Sequence, residues 1–331
     1  GLPYPRHLTS PTFSWNETTQ LWNTKTHFPI GKLYPERTNS WEIGVDMSLW
    51  RSLSLSASFY RADTKNQTFD PDLSVSSGYS TIYLQTGHVR NTGVELALGY
   101  NHKWGDFGWD SNFTFSWNKN EIVELVSNYI HPELGKPIDK NRLELSTPGQ
   151  GLGKAKFILK TGGTLGDLYT HSKLAYDKNG QVLLDDDGNP VSVTVSDDIK
   201  LGSVFPKYNL AWSNGFTWKG IRLKALIKAR IGGIVYSATQ AAMDYYGVSE
   251  ASAAARDAGG VTVNGRSRID PQTWYSAVSS QNGLPQYYTY SATNVRLAEL
   301  SVGYTLPRKW FRNVCAVNVA FVGSNLWMIY N

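Results

Sequence analysis

The sequence predicts an all-β chain: a partial transmembrane antiparallel β-barrel with long extracellular loops and short periplasmic turns. Three observations predict it. Apolar and polar residues alternate with period 2 through four paired segments, the turns within pairs are short while the links between pairs are long, and a tryptophan stands at each short turn.

In the first pair, Trp41, Ile43, Val45, Met47 and Leu49 oppose Glu42, Gly44, Asp46 and Ser48. After Trp50 and Arg51, Leu53, Leu55, Ala57 and Phe59 oppose Ser52, Ser54, Ser56 and Ser58. The second pair sets Val94, Leu96, Leu98 and Tyr100, then Phe113, Phe115 and Trp117, around a turn at 103–106. The third runs from Tyr208 through Leu210, Trp212, Phe216 and Trp218, turns at Lys219 and Gly220, and resumes as Ile221, Leu223, Ala225, Ile227, Ala229 and Ile231. The fourth joins Ala298, Leu300, Val302, Tyr304 and Leu306 through LPRKWFRN to Cys315, Val317, Val319 and Phe321, with Cys315 a small apolar strand residue.

A single hairpin of this kind could face a soluble core or lipid. The set favours lipid, because the long links, roughly 61–88, 122–206 and 237–293, all fall on one side of a meander. Trp50, Trp104, Trp218 and Trp310 then form one aromatic level on the other side. The pattern within 122–206 does not decide whether that link holds further membrane strands. Leu96, Phe115, Leu210, Leu223, Ile227 and Val319 are predicted to meet lipid, and Ser54, Glu95, Ser213, Lys224 and Lys228 the interior. In IRLKALIKARIG, the basic residues Arg222, Lys224, Lys228 and Arg230 share a face. A base near mid-bilayer on the lipid side costs about 2–4 kcal/mol, so this stripe is predicted to line the lumen. Its ordinary role is pairing with acids on neighbouring strands; its sharper one is meeting an interior plug or an anionic ligand.

Composition narrows the classes further. The 331 residues are 41% hydrophobic, which excludes general disorder. No stretch approaches the roughly 18 apolar residues of a membrane helix, and mean hydropathy is −0.35, which excludes helical membrane proteins but says little about barrels. The 12 Trp, 19 Tyr and 12 Phe suit interfacial belts or carbohydrate-contacting surfaces. A net charge of +5 from 32 basic and 27 acidic residues is too mild to point to a nucleic-acid partner. The lone Cys315 forms no internal disulfide, and a start at Gly1 without a signal peptide predicts a piece of a longer protein.

Short motifs for chemistry do not hold. TPGQGLGKA (147–155) lacks the first glycine and the hydroxyl of a phosphate loop, and DKNGQVLLDDDGNP (177–190) lacks calcium-loop acid spacing and reads as two turns. The six histidines show no zinc spacing, and no nucleophile, base and orienter stand out. The expectation is no enzyme, no metal and no cofactor. Function is expected instead in the long loops, where Tyr79 with Tyr83, Tyr245 with Tyr246, and Trp274 with Tyr275 offer aromatic surface to a substrate or partner. Tyr287, Tyr288 and Tyr290 form a further cluster where the chain re-enters a strand, and packing of loop against loop, or for 287–290 an outer aromatic girdle, is the alternative use of these clusters.

Several segments stand out together: LYPERTNSWEIGVDMSLW (33–50), LSLSASFYRADTKNQTF (53–69), SSGYS (76–80), GHVRNTGVELALGY (87–100), FTFSWNKNEIVEL (113–125), NVRLAELSVGYTLPRKWF (294–311) and GSNLWMIY (323–330). In order and spacing the chain resembles the carboxy-terminal part of the barrel of SusC-like TonB-dependent outer-membrane transporters. The resemblance implies that residues 1–331 are part of a closed barrel of about 22 strands, with the plug domain and closing strand outside this chain. It also implies residence in the bacterial outer membrane among its lipids, energy from a TonB complex, and a SusD-like surface lipoprotein partner. The implied function is import of a nutrient oligomer, glycan or peptide. Rival readings are an outer-membrane adhesin or passive pore, and a soluble carbohydrate-binding β-sandwich.

Overall fold

In the computed structural model, the alternating segments become long strands of one sheet. β1 (Arg37–Leu49), β2 (Leu53–Phe69), β3 (Leu84–Trp104), β4 (Phe107–Glu124), β5 (Tyr208–Trp218), β6 (Ile221–Ile231), β7 (Asn294–Thr305) and β8 (Asn318–Tyr330) pair in strict sequence order, all antiparallel, with β1 and β8 at the edges. Backbone is described for residues 14–16, 21–23, 25–28, 35–69, 79–82, 84–130, 137–145, 155–265, 267–279 and 283–331. Side chains are described for 35–69, 87–127, 140–145, 155–265, 268–279 and 283–331.

The short turns have the left-handed geometry that matches strand twist. Trp50 and Arg51 have φ of 49° and 60°, and Lys219 and Gly220 have 46° and 89°. The left-handed region costs a residue with a Cβ about 1–2 kcal/mol, so Trp50, Arg51 and Lys219 stand where Gly or Asn would be cheaper. All four turn tryptophans lie at this end of the sheet, exposed by 84% (Trp50), 49% (Trp104), 53% (Trp218) and 68% (Trp310). Trp104 and Trp218 both pair with Phe107 and so share one row.

Register keeps every pair of facing residues on the same side, so the sheet has one apolar and one polar face. Leu55, Leu98 and Phe113 form one row of the apolar face, and Phe216, Leu223, Val302 and Phe321 form part of another. Leu98, Phe216, Leu223, Val302 and Phe321 are exposed, as a lipid-facing surface requires. On β3 this face runs from Val94 to Trp104, which at about 3.3 Å per residue and a tilt near 40–45° spans about 25 Å, the height of an outer-membrane apolar band. Polar side chains on this face are satisfied: Trp109 Nε1 donates to Asn214 Oδ1 at 3.2 Å, Trp212 Nε1 to Ser111 Oγ at 3.0 Å, and His102 Nδ1 is hydrogen-bonded with Ser52 Oγ at 3.1 Å. Above Phe59, Val94 and Trp117 the same face turns abruptly charged, first with Arg61 and Lys119 and then with Asp63, Arg90 and Glu121. Asp63 there accepts from Arg61 Nε at 2.9 Å and Arg90 Nε at 2.8 Å.

The strands outrun the band. β2 continues to Phe69 and β3 begins at Leu84, so much of the segment expected to be a link at 61–88 is wall standing beyond the membrane. Residues 122–206 add no wall strand among the described residues. After β4 they form a separate four-stranded sheet, Arg142–Glu144, Lys156–Lys160, Asp167–Leu174 and Ser192–Ser203. Its Leu143 and Leu159 pack with Phe69, Val89 and Ile122 of the wall. Gly162 N–H also donates to Ile122 O, and Ile122 N–H to Gly163 O, each at 2.8 Å. Val89 and Ile122 continue the polar face's side of the sheet, so this small sheet roofs that face.

The link after β6 folds into helices α1 (Ala238–Tyr245), α2 (Glu250–Asp257) and α3 (Pro271–Ser279). Ser237 and Ser249 cap the first two through their hydroxyls, which accept from Gln240 N–H and Ser252 N–H. Among the described residues no helix is long and apolar enough to cross a membrane, which leaves crossing by strands untouched. In the fourth hairpin β8 begins only at Asn318: Cys315 lies outside the strand and is exposed, against the expectation, because the turn after Thr305 extends through a 3-10 segment, Arg308–Phe311, and left-handed Arg312 and Asn313.

Candidate functional site

The polar face bounds a groove of about 720 Å³ lined by Ser56, Ser58, Glu95, Lys228, Arg230 and Arg296, among others. Two rows build it. One runs Ser58, Glu95, Ser116, Asn209, Arg230, Asn294 and the next Ser56, Ala97, Thr114, Ala211, Lys228, Arg296, each residue paired with the one before it. Glycines give long side chains room to lie along the face. A Cβ at Gly93 would collide with the Tyr60 ring, whose hydroxyl reaches Asn118 Oδ1 at 3.4 Å.

Charge on this face is segregated by strand. Glu42, Asp46, Glu95 and Asp110 belong to β1, β3 and β4, with Lys103 at the turn end of β3 the base among the acids, whereas Arg222, Lys224, Lys228, Arg230 and Arg296 belong to β6 and β7, with Glu299 the acid among the bases. Neighbouring strands are about 4.8 Å apart, so the two groups face each other over roughly 10–25 Å. The stripe Arg222, Lys224, Lys228 and Arg230 thus shares its side with Glu95, Ser54 and Ser213, and the row of Leu210 and Phe115 lies opposite. None of its four bases forms an ion pair among the described residues. Lys228 instead stands directly beside Arg296, and Arg230 donates from Nη2 to Val204 O at 2.7 Å while its Nε is buried without a partner.

Above the groove, the small sheet is tied by Asp198, which is 6% exposed and accepts from Arg142 Nε and Nη2, both at 2.7 Å, with Lys160 at 2.9 Å and His171 Nε2 at 2.5 Å. The hydrogen bonds from Arg142 hold its carboxyl far below the usual carboxylate range, reinforced by Lys160 and His171 against the upward pull of burial. Lys200 Nζ similarly reaches the buried Asp167 at 2.6 Å.

The loop aromatics divide by environment. Tyr245 and Tyr246 are exposed, at 46% and 76%, with their rings edge-on at 5.2 Å. Exposed Met243 and Val248 flank them in the chain. Trp274 and Tyr275 are half-buried, packed on a small core of Leu174, Val278 and Leu284, and Trp274 meets Tyr287 edge-on at 6.0 Å. The Tyr79 side chain and all of Tyr83 lie outside the described residues, as does most of 147–155.

Tyr288 and Asp244, which sequence spacing alone does not connect, form the buried centre of the helical lobe. The Tyr288 hydroxyl donates to Asp244 Oδ2 at 2.9 Å, Gln240 Nε2 to Oδ1 at 2.9 Å, and burial pushes the phenol well above its usual range. Tyr288→Phe removes one of the two donors from a buried carboxylate and is expected to destabilise the lobe by about 1–3 kcal/mol, read as faster proteolysis within 238–279. Among the described residues no group of His, Cys, Asp or Glu is arranged to hold a metal ion. The arrangement can hold and orient polar or charged molecules.

Comparison with known proteins follows the same lines. The chain matches the family described as TonB dependent receptor-like, beta-barrel, over residues 8–326. It is similar to TonB-dependent receptor P3 of Formosa agariphila, 25% identical over 323 residues that cover 91% of this chain and 30% of that protein. TonB-dependent receptor P39 of the same organism is 24% identical over 233 residues, covering 68% of this chain and 19% of that protein. The chain therefore spans less than a third of the length of these relatives. Among solved structures it is similar in fold to the RagAB peptide importer in the open-open state, with TM-score 0.66 and 21% identity over 99% of this chain and 35% of that one. The closed-closed state gives TM-score 0.62 and 20% identity over 89% of this chain and 32% of that one.

Proposed function

The chain belongs to the TonB dependent receptor-like β-barrel family, and from that membership we propose that it forms part of the wall and extracellular canopy of an outer-membrane transporter importing nutrient oligomers, oligopeptides above all. The observation that carries this is the groove on the polar face, lined by Glu95 on one side and Lys228, Arg230 and Arg296 on the other and roofed by the small sheet. Separated charge suits a flexible oligomer bearing both signs, as peptides do, better than a neutral glycan. Likeness to a peptide importer supports the same choice. Arg222, Lys224, Lys228 and Arg230 face the lumen in this reading, and Lys228 with Arg296 receives carboxylates.

The complete transporter carries a plug in the lumen, draws energy through TonB, and works with a SusD-like surface lipoprotein. Tyr245 and Tyr246 contact the substrate or that lipoprotein, since their exposed rings give rigid area with a polar handle. Trp274 and Tyr275 hold the lobe that presents them, and Tyr79 and Tyr83 are further candidates for the same contact. In cells producing the full-length transporter, Tyr245→Ala with Tyr246→Ala is expected to lower labelled-peptide uptake or lipoprotein retention about tenfold, as loss of two anchor rings does. The charge-neutral Lys228→Gln with Arg296→Gln is expected to lower uptake of acidic peptides more than of neutral ones. Unchanged uptake and retention in both variants, with the barrel inserted, would place the contact surface elsewhere.

A further inference from the structure

The short turns carry a feature that transport does not use. Arg51 follows Trp50, Lys219 follows Trp218, and Arg308, Lys309 and Arg312 surround Trp310, all of them exposed. No acid pairs with any of these five bases among the described residues. Lys219 Nζ sits 5.5 Å from the centre of the Trp218 ring, so the cation lies with the indole that closes the apolar band. Three of the five, Arg51, Lys219 and Arg312, have φ of 60°, 46° and 51°, in the left-handed region where Gly or Asn is favoured. Turn geometry alone would not choose arginine or lysine there. The turn at Gly105–Asp106 differs, bearing an acid, and the nearby Lys103 pairs with Gly108 on the polar face.

We propose that the turns at Trp50–Arg51, Trp218–Lys219 and Arg308–Arg312 form binding sites for anionic phospholipid of the inner leaflet, the indole lying at the glycerol level and the base taking the headgroup phosphate. The level fits, because each indole stands at the turn end of the apolar face with a base beside it in the same turn. The charge fits a headgroup with net negative charge better than a zwitterionic one, whose ammonium would meet the same unpaired bases. Backbone cost at left-handed positions is then offset by contact with lipid.

The test uses the full-length transporter reconstituted in nanodiscs of equal phosphatidylglycerol and phosphatidylethanolamine, with retained lipids counted by native mass spectrometry after detergent release. Phosphatidylglycerol is expected to be enriched about fivefold or more over phosphatidylethanolamine, about one base's worth of attraction to an anionic surface. R51Q with K219Q, R308Q, K309Q and R312Q is expected to abolish the enrichment, while K219R with K309R, a folding control that keeps the charge, retains it. Equal retention of the two lipids by the wild type, including the case in which an acidic periplasmic protein is the true partner, would overturn the proposal. So would enrichment that survives the variant neutral at all five bases.

Discussion

Leu98→Lys is expected to destabilise the inserted barrel by about 2–4 kcal/mol, whereas Ala97→Lys, its immediate neighbour, is expected to shift stability by no more than about 0.5 kcal/mol. Leu98 pairs with Leu55 and Phe113 in the middle of the apolar face, so a lysine there has only hydrocarbon around it. Ala97 pairs with Ser56 and Thr114 on the groove side, where a lysine keeps water and polar neighbours. Urea unfolding of the full-length protein from lipid vesicles measures the difference. A larger loss at 97 than at 98 would reverse the assignment of faces.

Asp198→Asn is expected to cost the canopy sheet about 3 kcal/mol, because Arg142, Lys160 and His171 converge on that one carboxylate and lose their shared partner. The effect should be local: amide protection in Lys156–Lys160 and Asp167–Leu174 falls while the wall strands keep theirs. The pH dependence has a definite sign. The carboxyl is lowered in the folded protein relative to about 3.9 in the unfolded chain, so its stabilisation is complete above that value and is lost progressively as pH falls from there through the far lower folded value. Hydrogen exchange should therefore separate wild type and variant fully at pH 7 and still clearly, though less, at pH 3. A canopy whose protection is the same in both proteins at pH 7 would remove Asp198 as its anchor.

The wall was legible because lipid demands a strict period: Val94 to Trp104 and Tyr208 to Trp218 alternate with few exceptions. Where that demand ends, so did the reading. Beyond Phe59 and Val94 the outer face of β2 and β3 turns charged with Arg61, Asp63 and Arg90, while Val89 on the other face is buried under the small sheet, so the strands continue without the lipid-facing alternation. The canopy sheet is built from short pieces such as Lys156–Lys160, whose Ile158 and Leu159 are both fully buried, a continuous pattern that alternation cannot find. The helices were missed although Ser237 and Ser249 mark their starts, because each is only about two turns long and rich in alanine. Asp198 gathers partners from Arg142, Lys160 and His171, which no local spacing connects. The basic stripe was visible in IRLKALIKARIG, but its pairing with Arg296 required the register of β7. Trp274 and Tyr275 were visible as aromatics, and only packing on Leu174 and Val278 separates them from exposed Tyr245 and Tyr246.

The strict sequence order of the wall has a consequence for how it is assembled. β1–β2, β3–β4 and β5–β6 are each closed by a tight turn, and such hairpins form in about 1–10 μs. Joining one hairpin to the next requires closing 70–83, 125–207 or 232–293, and the entropy of closing a chain rises only logarithmically with its length. The long insertions therefore delay growth less than their size suggests, and a lobe that has already folded brings its two ends together. Each added hairpin leaves one bare edge, which is the template for its successor. Such a wall can grow by accretion, one pair of strands at a time, with its slow steps at the junctions between hairpins rather than within them.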